Sequence, residues 1–163
     1  MRYVINIIGP RAVGKTTVIE ELKNYLVEYT VLAIDDFRRM YDTSTPEGEM
    51  EAWFALYSAA LKEQKIIIES SGTSNNLLQV IGGLTSQSEL EMYNILLEAD
   101  DSTLSLREKI RQEAGYKRPR LYFEPKGRIG KPTVPVCMRL NTEKAAPFEI
   151  ASAIFDNLPS QYL

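Results

Sequence analysis

Gly9-Pro10-Arg11-Ala12-Val13-Gly14-Lys15-Thr16 spells G-x-x-x-x-G-K-[ST], the arrangement of a loop that cradles phosphate. Gly9 and Gly14 let successive backbone N–H groups turn inward around an anion. Lys15 would place a point charge on the β and γ oxygens of a nucleoside triphosphate, and Thr16 would offer a hydroxyl to Mg2+. The N-terminus of the following helix adds roughly half a positive charge. The nucleotide-binding set is therefore Gly9, Arg11, Ala12, Val13, Gly14, Lys15, Thr16 and Thr17. The surroundings agree with this. An apolar run, Val4–Ile8, leads in, and Thr16–Glu28, with Val18, Leu22 and Leu26 on one face, leads out as a helix.

A second cluster follows the next apolar run, where Val31-Leu32-Ala33-Ile34 enters Asp35-Asp36-Phe37-Arg38-Arg39. In a parallel sheet the C-terminal strand ends share one edge, so Asp35 would face the ligand that Lys15 holds. A carboxylate there can orient or deprotonate an acceptor hydroxyl, and Arg38 can hold an anionic group of that acceptor. The plainer alternative is a solvated helix N-cap with flanking charges. Glu69 closes the β-branched run Ile66-Ile67-Ile68 and, with Asp36, is a candidate to order the water shell of Mg2+ beside Thr16. Arg107 and Arg111 stand at i, i+4 on one helix face, with Leu106 and Ile110 marking a neighbouring apolar face. Two guanidiniums there can clamp a transferring phosphoryl group. The alternative is a surface helix laced by Glu108/Arg111 and Glu113/Lys117 pairs.

Composition removes whole classes of chemistry. The chain has 163 residues, 44% hydrophobic and 25% charged, a globular balance expected to form a single domain over 1–163. It has no histidine, which excludes Ser-His-Asp and Cys-His catalysis and imidazole metal sites. Its single cysteine, Cys137, excludes an internal disulfide and a multi-cysteine zinc cage, and in an apolar run it reads as a buried, inert thiol. Residues 107–131 carry nine Lys and Arg against three Glu, a net +6, so the rest of the chain holds −9 of the total −3. This is a local anion-handling strip on an acidic body. No run approaches the roughly 18 apolar residues of a membrane span, and Met1–Ile8 is too short for a secretory leader. A soluble cytoplasmic protein without a membrane partner is expected.

Five short apolar runs alternate with helical stretches: Tyr3–Ile8, Thr30–Ile34, Lys65–Ile68, Met92–Leu97 and Val134–Leu140. That alternation predicts an α/β fold, a three-layer α/β/α sandwich around a five-stranded, mostly parallel sheet. Pro135 pushes the last run toward a sheet edge. Ser44-Thr45-Pro46-Glu47 starts a helix whose stripe is Met50, Trp53, Tyr57 and Leu61, with Glu47, Glu49 and Glu51 as its solvated start. Trp53, Phe54 and Tyr57 read as core more readily than as an acceptor pocket. Asn76–Ile81 is a short helix stopped by Gly82-Gly83, and Ser102–Glu113 and Pro147–Leu158 complete the set. A GTPase switch is disfavoured, because Glu69-Ser70-Ser71-Gly72 and Asn141-Thr142-Glu143-Lys144 match neither D-x-x-G nor N-K-x-D.

The loop Gly9–Thr17 followed by Ile34-Asp35-Asp36-Phe37-Arg38 resembles the small P-loop kinases, particularly the phage-type polynucleotide 5′-kinases, in which a D-D-[YF]-R stretch lies at this distance. The resemblance implies the P-loop NTPase fold with a short lid at about 107–131, and ATP and Mg2+ as cofactors. It also implies Asp35 as general base and Arg38 as the contact to an acceptor phosphate. Glu69-Ser70-Ser71-Gly72-Thr73-Ser74-Asn75 is similar to the family's third-strand element but longer, with Glu in place of Asp. Arg107-x-x-x-Arg111 resembles the lid of polynucleotide, gluconate and shikimate kinases, and Lys117-Arg118-Pro119-Arg120 the R-P element that follows it in the shikimate type. The last run, the Asn141–Pro147 loop and the final helix resemble the base-contacting end of these kinases. The expected catalytic residues are thus Lys15, Asp35, Arg107 and Arg111. The acceptor is a hydroxyl, with a nucleic-acid 5′ end favoured and a nucleoside, nucleotide or small metabolite as the alternative. A nucleotide-dependent switch with slow ATP hydrolysis is the rival from another class. Tyr122–Pro132, with Lys126, Arg128 and Lys131, would touch a nucleic-acid backbone or form a solvated hairpin.

Overall fold

A computed structural model describes residues 1–122 and 131–163. Strands β1 (Arg2–Ile8), β2 (Thr30–Ala33), β3 (Lys65–Ser70), β4 (Leu90–Glu98) and β5 (Met138–Asn141) form one sheet in the order β2-β3-β1-β4-β5. Every pairing is parallel. Parallel strands need crossovers, and these are the helices: α1 (Lys15–Leu22), α2 (Ile34–Arg38), α3 (Pro46–Ala60), α4 (Asn75–Gln87), α5 (Asp101–Glu113) and α6 (Pro147–Asn157).

β-strand alternation divides β1 between two cores. Ile5 and Ile7 pack with α1 and α6 residues such as Val18, Leu22 and Ile154, while Val4 and Ile8 pack with Leu56, Leu77 and Leu84 of α3 and α4. Helices thus cover both faces of the sheet, the three-layer sandwich expected. The central strands are buried on both sides and consist largely of β-branched and leucine residues, as such strands must.

Several expectations are corrected. The last strand is shorter than Val134–Leu140 and starts at Met138. The residues before it are tied to the sheet by a side chain: Asn94 Nδ2 donates to the Pro135 carbonyl at 2.7 Å, and the Cys137 N–H donates to the Asn94 carbonyl at 2.8 Å. Cys137 is exposed rather than buried. β5 does lie at the sheet edge, where Pro135 pointed. α1 ends at Leu22 and a tight turn carries the chain to the buried Leu26. On α3 the buried face is Glu49, Ala52, Trp53, Leu56 and Ala60, so Met50 and Leu61 fall outside it and Glu49 is no solvated residue. Thr45 caps α3, accepting from the Gly48 N–H at 3.1 Å. Trp53 belongs to the core, whereas Phe54 is exposed and, with Met50, Trp53 and Tyr57, walls a shallow groove of about 280 Å³.

α4 runs through Gly82-Gly83 instead of stopping there. The reason is steric: a Cβ on Gly83 would lie 2.8 Å from the Tyr57 ring, whereas one on Gly82 would meet nothing within 4 Å. Neighbouring glycines should therefore respond with opposite signs. Gly82→Ala, at an open helical position, is expected to stabilise by about 0.5–1 kcal/mol. Gly83→Ala forces the Tyr57 ring aside and is expected to destabilise by about 1–3 kcal/mol. Thermal unfolding of the two variants checks this, and equal signs would contradict the packing described.

Candidate active site

Three strand ends deliver the site. β1 runs into the loop 9–14, which turns into α1 through Gly14 at φ 106°, a left-handed conformation that suits glycine. Ala12 also takes a left-handed φ of 65°. Residues 11–18 of this loop and helix line a cavity of about 790 Å³. Gly9 lies beneath it, where a Cβ would come within 2.6 Å of the Leu97 carbonyl oxygen. Lys15 folds back into the loop and its Nζ donates to the Gly9 and Pro10 carbonyls at 2.8 and 3.1 Å. Burial pushes the Lys15 ammonium below its usual range, while Glu69 and Asp35 pull it back up.

β3 supplies Glu69, which sits level with Ile7 of β1. Thr16 Oγ1 donates to its Oε1 at 2.6 Å. Burial raises the Glu69 carboxyl above the ordinary carboxylate range, against the lowering effect of the Thr16 bond and the Lys15 charge. These two hard oxygen donors fit a Mg2+ ion, which takes carboxylate and hydroxyl oxygens and keeps several waters. Asp36 is not part of that pair. Its side chain is 73% exposed, lies 3.6 Å from Arg39 and does not line the cavity.

β2 ends in α2, which carries Asp35 to the cavity wall. The expectation for Arg38 is corrected here. Its Nε and Nη2 face the Glu49 carboxylate at 2.5–3.1 Å, and its Nη1 donates to Asp35 Oδ1 at 3.1 Å. The Arg38 side chain is 16% exposed and Glu49 5%. Arg38 is therefore built into the protein and does not stand free to grip an acceptor anion. Glu49 is the residue that sequence reasoning missed. The signal available was Trp53 at i+4, whose Nε1 donates to Glu49 at 2.9 Å.

The two arginines of α5 part company. Arg107 donates to the Val13 carbonyl at 3.1 Å and to Thr142 Oγ1 and O at 2.9 and 3.0 Å. It thereby braces the phosphate loop against the loop before α6. Arg111 lies 4.0 Å over the Tyr116 ring, whose other partner is Arg39 of α2 at 5.9 Å. Tyr116 and Arg118 line the cavity, and Thr43 Oγ1 donates to the Arg120 carbonyl at 2.5 Å, so this segment crosses from α5 to the α2–α3 turn. Glu108 pairs with Arg11 rather than with Arg111. Leu106 and Ile110 are exposed. Lys126 and Arg128 lie outside the described residues.

Thr142 to Pro147 wall the far end of the cavity, and Thr103 donates to Glu143 to hold that loop on α5. Among the described residues no helix is long and apolar enough to cross a membrane, and no group of three or more acidic or cysteine side chains could hold a metal.

The fold is shared with solved structures of small kinases. A Chloroflexus aurantiacus protein with a provisional kinase assignment is similar over 97% of this chain and 99% of its own, with TM-score 0.74 and 19% identity. The APS kinase of Mycobacterium tuberculosis, solved with AMPPNP and APS, gives TM-score 0.64 at 14% identity, covering 95% of this chain and 96% of its own. A gluconokinase of Sinorhizobium meliloti gives 0.62 at 14% identity, covering 96% and 92%. No family model matches the chain, and no curated protein matches it.

The Glu69 environment makes a stability prediction. A carboxyl whose folded value is raised contributes most at pH below its free value and loses that contribution as pH rises through the folded one. Glu69→Gln removes this loss. The variant is expected to melt higher than the parent at pH 7, with the gap closing toward pH 4. Melting curves across that range check it, and a gap independent of pH would contradict the burial effect.

Proposed function

We propose that the chain is a Mg2+-dependent kinase that moves the γ-phosphoryl group of ATP to the hydroxyl of a small acceptor. One observation carries the reading: Lys15, the Thr16–Glu69 pair and Asp35 converge on a single cavity at the C-terminal edge of a parallel sheet. The fold shared with an APS kinase and a gluconokinase supports it.

The loop N–H groups and Lys15 would take the β and γ phosphates, Lys15 exchanging its two carbonyl partners for phosphate oxygens. Thr16 and Glu69 would hold Mg2+, which when bound neutralises charge on those oxygens. Thr142 to Pro147, braced by Arg107, would receive the nucleoside. Asp35 has one oxygen engaged by Arg38, and its other oxygen would accept the acceptor's hydroxyl proton. As that O–H bond breaks, the acceptor oxygen bonds to the γ-phosphorus. The bond from the γ-phosphorus to the β–γ bridging oxygen breaks, and ADP leaves with its electron pair. Arg111, whose charge reaches Lys15, would face the moving group.

A nucleic-acid 5′ end is the weaker choice of acceptor, because the arginine that would hold its phosphate is paired with Glu49. None of the three kinase structures above is described as a polynucleotide kinase. We place the activity in the cytoplasm, where ATP is supplied.

ATP consumption measured against small alcohols, sugars, nucleosides, nucleotides and 5′-hydroxyl oligonucleotides tests the reading. Transfer to one class is expected, with Asp35→Asn lowering kcat by about 10²–10⁴-fold at unchanged nucleotide affinity. Lys15→Ala is expected to lose nucleotide binding itself. Slow hydrolysis with no transfer to any acceptor, indifferent to Asp35→Asn, would replace the kinase with a nucleotide-dependent switch.

A further inference from the structure

The proposed reaction leaves one buried carboxylate without a task. Glu49 sits on the buried face of α3 and receives three hydrogen bonds from Arg38 and one from Trp53 Nε1. The chain of contacts has a direction. It runs from Trp53 in the core through Glu49, 5% exposed, and Arg38, 16% exposed, to Asp35, 44% exposed on the cavity wall. Arg38 also lies 6.0 Å over the Trp53 ring. A guanidinium is a planar fork of five N–H donors, so fixing its Nε and Nη2 edge fixes where Nη1 points. Here Nη1 points at Asp35 Oδ1, 3.1 Å away.

We propose that Glu49 is a positioning residue for the reaction. It holds Arg38 so that Arg38 takes one oxygen of Asp35 and leaves the other aimed at the acceptor. This rests on the reading of Asp35 as the base.

Glu49 also sets the electrostatics. With Glu49 ionised, the charge of Arg38 is shared between two carboxylates. Without it, a half-buried cation answers to Asp35 alone, and Asp35 becomes a weaker base that is drawn toward a two-oxygen fork. The other charged groups acting around this carboxylate are Lys15 of α1, Glu69 of β3, and Asp36 and Arg39 of α2, with Arg111 of α5 acting on Lys15. None of them changes when Glu49 is replaced, so any shift in Asp35 reports the loss of Glu49. A purely structural salt bridge would alter the folded fraction and leave the kcat of folded molecules where it was.

Glu49→Gln provides the test, with two readouts. The Asp35 carboxylate is followed by carbon-13 NMR titration, its signal identified by its absence from Asp35→Asn. Its midpoint is expected to move to lower pH in Glu49→Gln. In the kinase assay kcat is expected to fall 10- to 100-fold with the KM for ATP within about threefold, and the acidic limb of the kcat profile to move in the same direction. In the double variant Arg38→Met/Glu49→Gln the loss is expected to equal that of Arg38→Met alone, because Glu49 acts through Arg38. An unmoved Asp35 titration, or independent and multiplying losses in the double variant, would overturn the proposal. The NMR readout needs no acceptor, so absence of phosphoryl transfer in the parent protein would count against the kinase reading and leave this test standing. Where Glu49→Gln does not fold, Trp53→Phe carries the test. It removes one donor from Glu49 without stranding a charge, and is expected to lower kcat several-fold at unchanged KM. An unchanged kcat would again overturn the proposal.

Discussion

The site is organised around a cation held away from water. The Lys15 ammonium lies among the carbonyls of its own loop, and burial works against its charge. An isolated charge in such a place would shed its proton. Here Glu69 and Asp35 act in the opposite sense. Glu69 lies near the end of β3 beside β1 and Asp35 just past the end of β2, one strand further out, because parallel pairing puts the C-termini of β2 and β3 on the loop's own edge. The parallel sheet therefore does more than present loops. It sets beside Lys15 the acidic groups that oppose the effect of burial on its charge. A polyphosphate entering the loop would take over that duty, freeing Glu69 for a metal and Asp35 for a proton.

The same reasoning applies one layer out. Arg38 cannot stand half-buried without counter-charge, and Glu49 cannot be buried without a donor. Each answers the other, and Trp53 supplies the remaining hydrogen bond to Glu49. On the opposite side Arg107 is satisfied by two loop carbonyls and a hydroxyl, so its charge braces loop 9–14 against the loop before α6. Arg111 and Arg39 both pack on the Tyr116 ring.

What could be read in advance follows from how local each feature is. The loop 9–14 and its place on the cavity were legible because the motif lies in eight consecutive residues between a strand and a helix. Asp35 was legible because strand ends share an edge in any parallel sheet. Glu49 was not, since its partner is eleven residues back across a turn and its neighbours Glu47 and Met50 are exposed. The i, i+4 spacing put Arg107 and Arg111 on one side of α5, but spacing cannot tell which surface that side meets. The glycine pair in α4 looked like a stop because the ring that needs the space, Tyr57, belongs to another helix. The last strand was overdrawn because Asn94 satisfies a carbonyl that a strand neighbour would otherwise take.

The two halves of the cavity are built from different materials, and this bears on how one fold can serve different acceptors. The half built on loop 9–14 consists mainly of backbone groups: loop amides, the start of α1, and carbonyls gripped by Lys15 and Arg107. Backbone donors survive exchange of almost any side chain, so such a half is insensitive to most substitutions. The other half consists of side-chain pairs: Asp35 with Arg38, Arg38 with Glu49, Tyr116 with Arg111 and Arg39. A pair of that kind is costly to break singly but can be replaced as a unit by groups of similar volume. Change there comes in linked steps, each able to redirect the open oxygen of Asp35 while the phosphate loop stays as it is. In the proposed reaction, acceptor choice would then depend on which buried charges are paired with which, and in this chain Glu49 is the partner that turns an arginine inward.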